Sequence, residues 1–304
     1  MSVSNKKKAE CCGCNACAEI CPKHCIRMTE DAKGFLYPKV DSATCIECGA
    51  CEKVCPLNTS NLSLKTPLKA FAAWNKNRQE HLASSSGGAA YILSSYILDK
   101  GGIVYGCTSD GIDIRHIRVE NHSDLTKLQG SKYVQSNVCG LFKDVKNDLK
   151  SGKPVLFIGT PCQVAGLKNY IKHIPEHLYL VDLICHGVPS KKMLHGHIRH
   201  VIKGQNVQHL SFRKGNSFII SFEAPNFSHS ADVWEEPYKD LYMKGFMDGM
   251  TYRSSCYQCP FACPSRVSDI TIGDFWGLKN AELLPKETKD GVSLLLPMTD
   301  KGLN

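Results

Sequence analysis

The chain has 304 residues, enough for two or three domains, with 17 cysteines and a formal net charge of +8. Its start, MSVSNKKKAE, is polar and basic, so the sequence predicts no signal peptide, and the lack of any apolar run of about 18 residues argues against a membrane-spanning helix. The basic residues are scattered apart from the run at 6–8, which favours a solvated tail over a nucleic-acid surface.

Eight cysteines near the start follow one spacing twice, C-x₂-C-x₂-C-x₃-C-P. They are Cys11, Cys14, Cys17, Cys21, Cys45, Cys48, Cys51 and Cys55. This is the spacing of a bacterial two-cluster ferredoxin, in which three cysteines of one loop hold a 4Fe–4S cluster and the fourth ligates the other cluster. We therefore predict two clusters. The first takes Cys11, Cys14, Cys17 and Cys55, and the second takes Cys45, Cys48, Cys51 and Cys21.

Zinc and disulfides are the alternatives for these cysteines. A zinc site needs four ligands, whereas the sequence offers two identical sets of four. Cysteines at metal spacing, without a signal peptide, favour a reducing cytoplasm over a secreted protein. Each oxidised cluster with four thiolates carries a charge of roughly −2, so three clusters would bring the net charge to about +2.

The chain divides into two predicted domains. Residues 1–60 predict a small α+β ferredoxin-like domain, with short strands at 26–28 and 37–40 joined through Lys33 and Gly34. Residues 57–68, LNTSNLSLKTPL, are polar and predict a linker. Residues 61–304 form the second predicted domain.

Alternating strands and helices follow from residue 69. The predicted elements are a strand at 70–74, a helix opened by 84–88 and running to about 98, strands at 103–107 and 114–119, a short helix at 124–130, a helix at 140–150, a strand at 154–158, a helix to 172, a strand at 178–184, a helix at 191–202 and antiparallel strands within 207–222. This pattern predicts an α/β fold with a mixed sheet covered on both faces.

Four further cysteines predict a second kind of metal site. Cys162 and Cys185 each follow a predicted apolar strand, at the sheet edge where α/β proteins bind ligands. Cys256 and Cys259 form a C-x₂-C pair in an irregular loop, and Cys263 competes as a ligand. The pair alone could be redox-active or bind zinc, but two clusters already in the chain favour a third 4Fe–4S cluster. The four cysteines outside every set, which we expect to be small buried side chains, are Cys12, Cys25, Cys107 and Cys139.

Two polar segments are candidates for binding an anionic cofactor. The segment 84–88, SSSGG, leads into a predicted helix whose first N–H groups could bind a phosphate, although an ordinary serine-capped helix start has the same residues. The segment 130–136, GSKYVQS, offers a cation, a hydroxyl and an amide, and an ordinary strand with polar edges is its alternative. Neither is a G-x-G-x-x-G or Walker sequence.

These segments together resemble the coenzyme F420 hydrogenase/dehydrogenase beta-subunit family. The resemblance rests on SSSGGAA at 84–90, GSKYVQS at 130–136, GTPCQVAGL at 159–167, DLICHGVPS at 182–190 and RSSCYQCPFACPSRVSDITIGDFWG at 253–277. It implies FAD and a 4Fe–4S cluster held by Cys162, Cys185, Cys256 and Cys259. The flavin contacts that it implies are Ser85, Ser86, Gly87, Gly88, Ser131, Lys132, Tyr133, Gln135, Gly159 and Thr160. The family resemblance normally continues beyond this point, so we expect a truncated C-terminal part.

The predicted function is that of an iron–sulfur flavoprotein oxidoreductase. Electrons would pass between a small hydride carrier such as reduced coenzyme F420, FAD, the third cluster, the ferredoxin domain and a redox partner protein or subunit, in either direction. No catalytic residue is identified. The alternatives are a ferredoxin-like electron carrier with no substrate of its own, which would lack a flavin, and a reductase of another small molecule.

Overall fold

The computed structural model describes residues 3–58, 63–203, 206–278 and 285–304. Part of the predicted linker, 59–62, therefore lies outside the described residues. The N-terminal part contains an antiparallel hairpin of β1 (Ile26–Glu30) and β2 (Leu36–Val40), which pairs Ile26 with Val40. A short helix lies in each cysteine loop, α1 (Ala16–Ile20) in the first and α2 (Ala50–Lys53) in the second.

A seven-stranded mixed sheet forms the centre of the rest of the chain. Its strands are β3 (Phe71–Ala73), β4 (Ile103–Asp110), β5 (Asp113–Val119), β6 (Val155–Gly159), β7 (Leu178–Leu183), β11 (Ile270–Asp274) and β12 (Ser293–Pro297), in the order β3-β12-β11-β7-β6-β4-β5. The four central strands β11, β7, β6 and β4 are parallel. Strands β5 and β12 run antiparallel to them, and β3 pairs antiparallel with β12 and so runs in the same direction as the central strands. The predicted α/β fold with a mixed sheet is confirmed.

Helices cover both faces of this sheet. The helices of this part of the chain are α3 (Arg78–Leu82), α4 (Ala89–Asp99), α5 (Leu141–Leu149), α6 (Pro161–Ile171), α7 (Lys191–Val201), α8 (Leu241–Met247) and α9 (Asp300–Leu303). Of these, α5 and α6 pack on one face of the sheet and α4 packs on the other. Because side chains alternate along a strand, Tyr105 and Phe157 pack on the α5–α6 face while Val104 and Leu156 pack on the α4 face. No helix among the described residues is long and apolar enough to cross a membrane.

The segment that we predicted to be antiparallel within 207–222 lies outside the main sheet. It contributes to a separate three-stranded sheet of β8 (His209–Ser211), β9 (Ile219–Ala224) and β10 (Phe227–Asp232). This sheet packs with α7 and α8 around a core of its own that includes Phe212 and Phe222. The main sheet is mixed for a different reason, because β5 and β12 run antiparallel to its central strands. The predicted short helix at 124–130 is a 3₁₀ helix at His122–Leu128.

The N-terminal part shares a hydrophobic core with the large sheet. Cys12, Cys14 and Val54 are buried in the same cluster of side chains as Phe142 and Leu167. At Gly166 of α6 an added Cβ would lie 3.0 Å from Cys14 Sγ, so glycine allows the helix to approach the cysteine loop closely. The first cysteine loop therefore packs against the larger part of the chain.

Candidate functional site

The two N-terminal cysteine loops have the same unusual backbone. Gly13 and Glu47, which are equivalent positions of the repeat, have φ of +69° and +53°, and Asn15 and Gly49 both have φ of +68°. Positive φ favours glycine and asparagine, and it allows a short loop to curl tightly. The repeat is therefore visible in the backbone of the two loops as well as in the spacing of their cysteines.

The first set of four thiols comes together as the spacing predicted. Burial, followed by the charges of Cys11, Cys55 and Cys51, raises the pKa of the Cys17 thiol to about 12. Cys14 likewise interacts with Cys17 and Cys55. Thiolates this close repel one another unless a metal centre neutralises them, because deprotonated sulfur is the metal ligand.

The second set of four lines a cavity of about 310 Å³, here called the outer cysteine cavity. Cys21, Cys45, Cys48 and Cys51 all contribute to its wall, and Cys48 is exposed. Cys25 also lies there, with its Sγ 3.3 Å from Cys21 Sγ. Five cysteines thus line the cavity, four of them the predicted set, and 4Fe–4S clusters are held by four cysteine thiolates. No group of three or more His, Cys, Asp or Glu side chains within the described residues is arranged around a single metal ion.

The third set brings together four thiols from three separate parts of the chain. Cys162 lies in the first turn of α6, Cys185 follows β7, and Cys256 and Cys259 lie in and just after a 3₁₀ turn. Burial, and after it the charges of the other three thiols, raises the pKa of Cys185 to about 12. Helix α6 is begun by Thr160 in a capping box with Gln163, and Thr160 Oγ1 lies 3.3 Å from Cys162 Sγ.

The competing ligand Cys263 is placed differently. Its thiol donates to the carbonyl oxygens of Pro260 and Ser265 at 3.5 and 3.1 Å. None of the four thiols of the third set is among these partners. The structure therefore groups Cys162, Cys185, Cys256 and Cys259 and leaves Cys263 outside.

The cysteines outside the predicted sets do not share one environment. Cys12 and Cys25 are buried, as we expected, but each lies beside cluster-type thiols, and Cys12 interacts with both Cys14 and Cys162. Cys107 is half-buried, and Cys139 is exposed, so the prediction for Cys139 is wrong. The structure thus places Cys12 between the first and third sets of thiols, which the spacing of the repeat could not reveal.

A cavity of about 310 Å³ opens at the carboxyl ends of the parallel strands, and we call it the serine-lined cavity. Its volume lies in the range of small-molecule sites. Eight of the ten predicted flavin contacts line it, namely Ser85, Ser86, Gly88, Ser131, Lys132, Tyr133, Gly159 and Thr160. Cys185 of the third set is also part of its wall.

Two of the ten predicted contacts lie elsewhere. An added Cβ at Gly87 would lie 2.1 Å from Ala73 O, so this glycine is packed against β3. The side chain of Gln135 donates to Cys12 O at 2.9 Å and accepts from Arg253 at 3.2 Å. Gln135 therefore belongs to the surroundings of the first cysteine loop. The segment 130–136 as a whole is a loop, so the strand alternative for it is wrong.

Lys132 gives the serine-lined cavity a cation with an unusual environment. Its ammonium group donates to the carbonyl oxygens of Cys107, Leu128 and Gln129 at 2.7 to 3.0 Å. Burial lowers the pKa of Lys132 to about 8. An anionic group in the cavity would restore that pKa, because a nearby negative charge favours the protonated amine.

The sequence did not indicate several other wall residues. His116 lies on β5, where its Nε2 donates to Ile158 O and its Nδ1 accepts from Ser136, each at 2.9 Å. Burial lowers the pKa of His116 to about 4, so the ring is neutral at pH 7. Asp274 accepts from the buried Arg213 at 2.9 Å. Asp274 lies within the quoted segment 253–277, whereas His116 lies outside every quoted motif and reaches the cavity because β5 pairs with β4 at this part of the sheet.

The chain matches two family models and is similar to a solved structure. A family model for the C-terminal part of the coenzyme F420 hydrogenase/dehydrogenase beta subunit matches residues 152–304, and a 4Fe–4S dicluster domain model matches residues 10–59. A solved chain from the F420-reducing NiFe hydrogenase complex of Methanosarcina barkeri is 18% identical, with a TM-score of 0.49 over 79% of this chain and 78% of that chain. No curated protein matches the sequence. Since the first model covers half of the chain, this protein belongs to the coenzyme F420 hydrogenase/dehydrogenase beta-subunit family. With its N-terminal 4Fe–4S domain, it is an iron–sulfur oxidoreductase that transfers electrons.

Proposed function

We propose that this protein is an iron–sulfur flavoprotein that binds FAD in the serine-lined cavity and holds three 4Fe–4S clusters on its twelve grouped thiols. A bound flavin would supply the exchange between two-electron hydride chemistry and the single electrons that clusters carry. Residues 1–60 are proposed as the domain of the first two clusters, and residues 61–304 as the domain of the flavin and the third.

One observation carries the proposal, namely that the cavity and the three thiol sets are contiguous. Cys185 belongs both to the wall of the serine-lined cavity and to the third set. The thiol of Cys162 in that set hydrogen-bonds with the thiol of Cys12. The Cys12 thiol also hydrogen-bonds with Cys14 of the first set. Cys17 of the first set interacts with Cys51 of the second. Contiguous sites of this kind suit stepwise electron transfer between a buried cofactor and the surface.

The wall of the cavity contains both kinds of surface that a flavin nucleotide needs. Gly88 with φ of +85° begins α4, next to Ser85 and Ser86, where backbone N–H groups can bind phosphate. Ile184, which is 52% exposed, offers an apolar surface for a planar ring. The chain's own contribution is to bind and orient the cofactor next to Cys185.

The outer cysteine cavity is the proposed contact site for a redox partner. Cys48 is exposed there, and the neighbouring Ile46 is 57% exposed, so the wall of this cavity offers a partner an apolar contact next to a predicted cluster ligand. The proposed substrate is a small hydride carrier of the coenzyme F420 kind. This part of the proposal rests on membership of the family, and no catalytic residue is assigned.

The flavin is tested by anaerobic purification, followed by release and quantification of bound flavin and by titration of the cofactor-free protein with FAD. We expect about one FAD per chain. Lys132→Gln should weaken FAD binding at least tenfold, because it removes the buried cation, whereas Lys127→Gln on the exposed neighbouring 3₁₀ helix should leave binding unchanged. If the wild-type protein neither contains nor takes up flavin while keeping its clusters, the simple electron-carrier alternative is correct.

The third cluster is tested separately by iron and acid-labile sulfide analysis. The anaerobic wild-type protein should hold about twelve irons. Cys185→Ala should lose roughly four of them, because one corner of the cluster is no longer held, and Cys263→Ala should lose none. Loss of a cluster in Cys263→Ala, with Cys185→Ala intact, would move the ligand set to the 256–263 loop.

A further inference from the structure

Arg253 is a buried cation that lies against the first cysteine loop. It comes from the segment that carries Cys256 and Cys259, and it is 0% exposed. Its Nε donates to Cys11 O at 2.7 Å, and its Nη2 donates to Leu36 O at 2.7 Å and approaches Cys11 Sγ at 3.5 Å. The guanidinium thus joins the third-set segment to a ligand of the first cluster.

Arg253 differs from the other two buried arginines in its partners. Arg213 pairs with Asp274 at 2.9 Å and Arg266 pairs with Asp182 at 3.3 Å. Across the described ranges, no carboxylate forms an ion pair with Arg253, whose partners are oxygen atoms of neutral groups and one sulfur. A buried charge without a counter-charge is strongly unfavourable, so an anion is expected beside it.

The surroundings of Arg253 exclude water and hold it in place. Its guanidinium carbon lies 4.2 Å from the centre of the Tyr37 ring and 5.5 Å from that of Phe35. An added Cβ at Gly13 would lie 2.8 Å from Arg253 Nη1, so the loop at Gly13 leaves space for it. Its positive charge also acts on Cys162 and Cys256 of the third set. One fixed cation therefore faces thiols of two different sets.

We propose that Arg253 is the counter-charge shared by the first and third clusters. It raises the reduction potential of both relative to the second cluster in the outer cysteine cavity, here called the outer cluster. The inference rests on the three-cluster arrangement proposed above. Each cluster becomes more negative by one charge when it takes up one electron, with no bond made or broken. A fixed cation in a dry site stabilises the more negative state, because Coulomb attraction is weakly screened there.

The test is an anaerobic redox titration with dithionite, followed by electron paramagnetic resonance, on Arg253→Gln, Arg253→Lys and wild type. Iron analysis first establishes that each variant holds about twelve irons. Arg253→Gln should make reduction of two clusters at least tenfold less favourable, a fall of about 59 mV per tenfold change, and should leave the outer cluster unchanged as an internal reference. Arg253→Lys keeps the positive charge, so the reduction potentials of the first and third clusters should stay close to those of the wild type.

Lys8→Gln is the control for a change of one charge. Lys8 is an exposed cation that pairs with Asp31 at 2.6 Å beside the same hairpin. Its substitution should leave the reduction potential of every cluster unchanged. Equal shifts in Arg253→Lys and Arg253→Gln, or no shift in Arg253→Gln, would overturn the proposal.

If Arg253→Gln loses a cluster, its reduction potentials cannot be compared with those of the wild type. Gln135→Glu is then the alternative test. Gln135 Oε1 already accepts from Arg253, so a carboxylate there would neutralise the guanidinium while Arg253 stays in place. The same two clusters should become harder to reduce, and unchanged potentials would overturn the proposal. These titrations need no flavin, so they can fail or succeed independently of the FAD measurement.

Discussion

The two cysteine loops have the same spacing and the same backbone, yet they lie in opposite surroundings. In the first loop Cys14 is buried against Gly166 of α6, and Gly13 faces the buried Arg253. In the second loop Cys48 is exposed, and nothing lies within 4 Å of a Cβ added at Gly49. The repeat therefore specifies the form of each loop, while the packing decides which loop lies against the larger part of the chain and which is exposed.

Loss of one ligand from each loop should give the largest contrast. Cys14→Ala and Cys48→Ala should each lose roughly four irons, because each removes one corner of a cluster. Cys14→Ala should also lower the free energy of unfolding by at least about 2 kcal/mol more than Cys48→Ala, since Cys14 lies in the shared core. Iron analysis and urea unfolding under anaerobic conditions measure both effects. An equal loss of stability in the two variants would mean that the first loop is not anchored by this packing.

This comparison also explains what the sequence could and could not predict. The spacing of the eight cysteines predicted which thiols lie together, because three members of each set come from one short loop and the fourth follows the other loop. The third set was predicted from Cys162 and Cys185 at strand ends, because parallel strands end at one edge of a sheet. The sequence did not indicate a role for Arg253, and Gln135 was predicted to contact the flavin. Both contact the first cysteine loop more than a hundred residues away, and these contacts depend on how that loop packs against the rest of the chain.

A second contrast compares Gly13 with its repeat equivalent, Glu47. Gly13→Ala should cost about 2–3 kcal/mol, because alanine is strained at φ of +69° and its Cβ would lie 2.8 Å from Arg253 Nη1. Glu47→Ala should change the free energy of unfolding by less than about 0.5 kcal/mol, because Glu47 already adopts positive φ and is exposed. Urea unfolding of the two variants measures the difference. Similar costs would show that Arg253 does not restrict the first loop.

The pH of these measurements matters because of His116 in the large sheet. Burial lowers its pKa to about 4 from an ordinary value near 6.5. Between those values the unfolded chain binds more protons than the folded one, so stability is fully present above about pH 6.5 and is lost as the pH falls. We expect His116 to account for a loss of about 2 kcal/mol between about pH 7 and about pH 5.

His116→Gln tests this effect by comparing thermal unfolding of the variant and the wild type at both pH values. The variant should lose stability less steeply with acid, and any acid damage to the clusters is common to both proteins. A variant with the same pH dependence as the wild type would mean that another group titrates. The two cysteine loops are therefore best compared near pH 7.

The smallest expected contrast concerns Glu19 and Lys53, which occupy equivalent positions in α1 and α2. The Glu19 carboxylate accepts from the backbone N–H groups of Gly140 and Lys143, each at 3.0 Å. These groups lie at the start of α5, where Gly140 provides no side-chain cap, so the N-terminal part caps a helix of the large part. Glu19→Ala should cost about 1 kcal/mol, the usual effect of losing an N-cap.

Lys53→Ala is the matched variant in the second loop. Lys53 is exposed, and a surface substitution of this kind changes the free energy of unfolding by less than about 0.5 kcal/mol. Glu19→Gln should recover part of the loss, because its amide oxygen can still accept one of the two hydrogen bonds. If Glu19→Ala and Lys53→Ala cost the same in urea unfolding, the cap on α5 contributes nothing. The first cysteine loop would then be anchored by Arg253 and the shared core, and the contrast between the two loops would depend on those contacts.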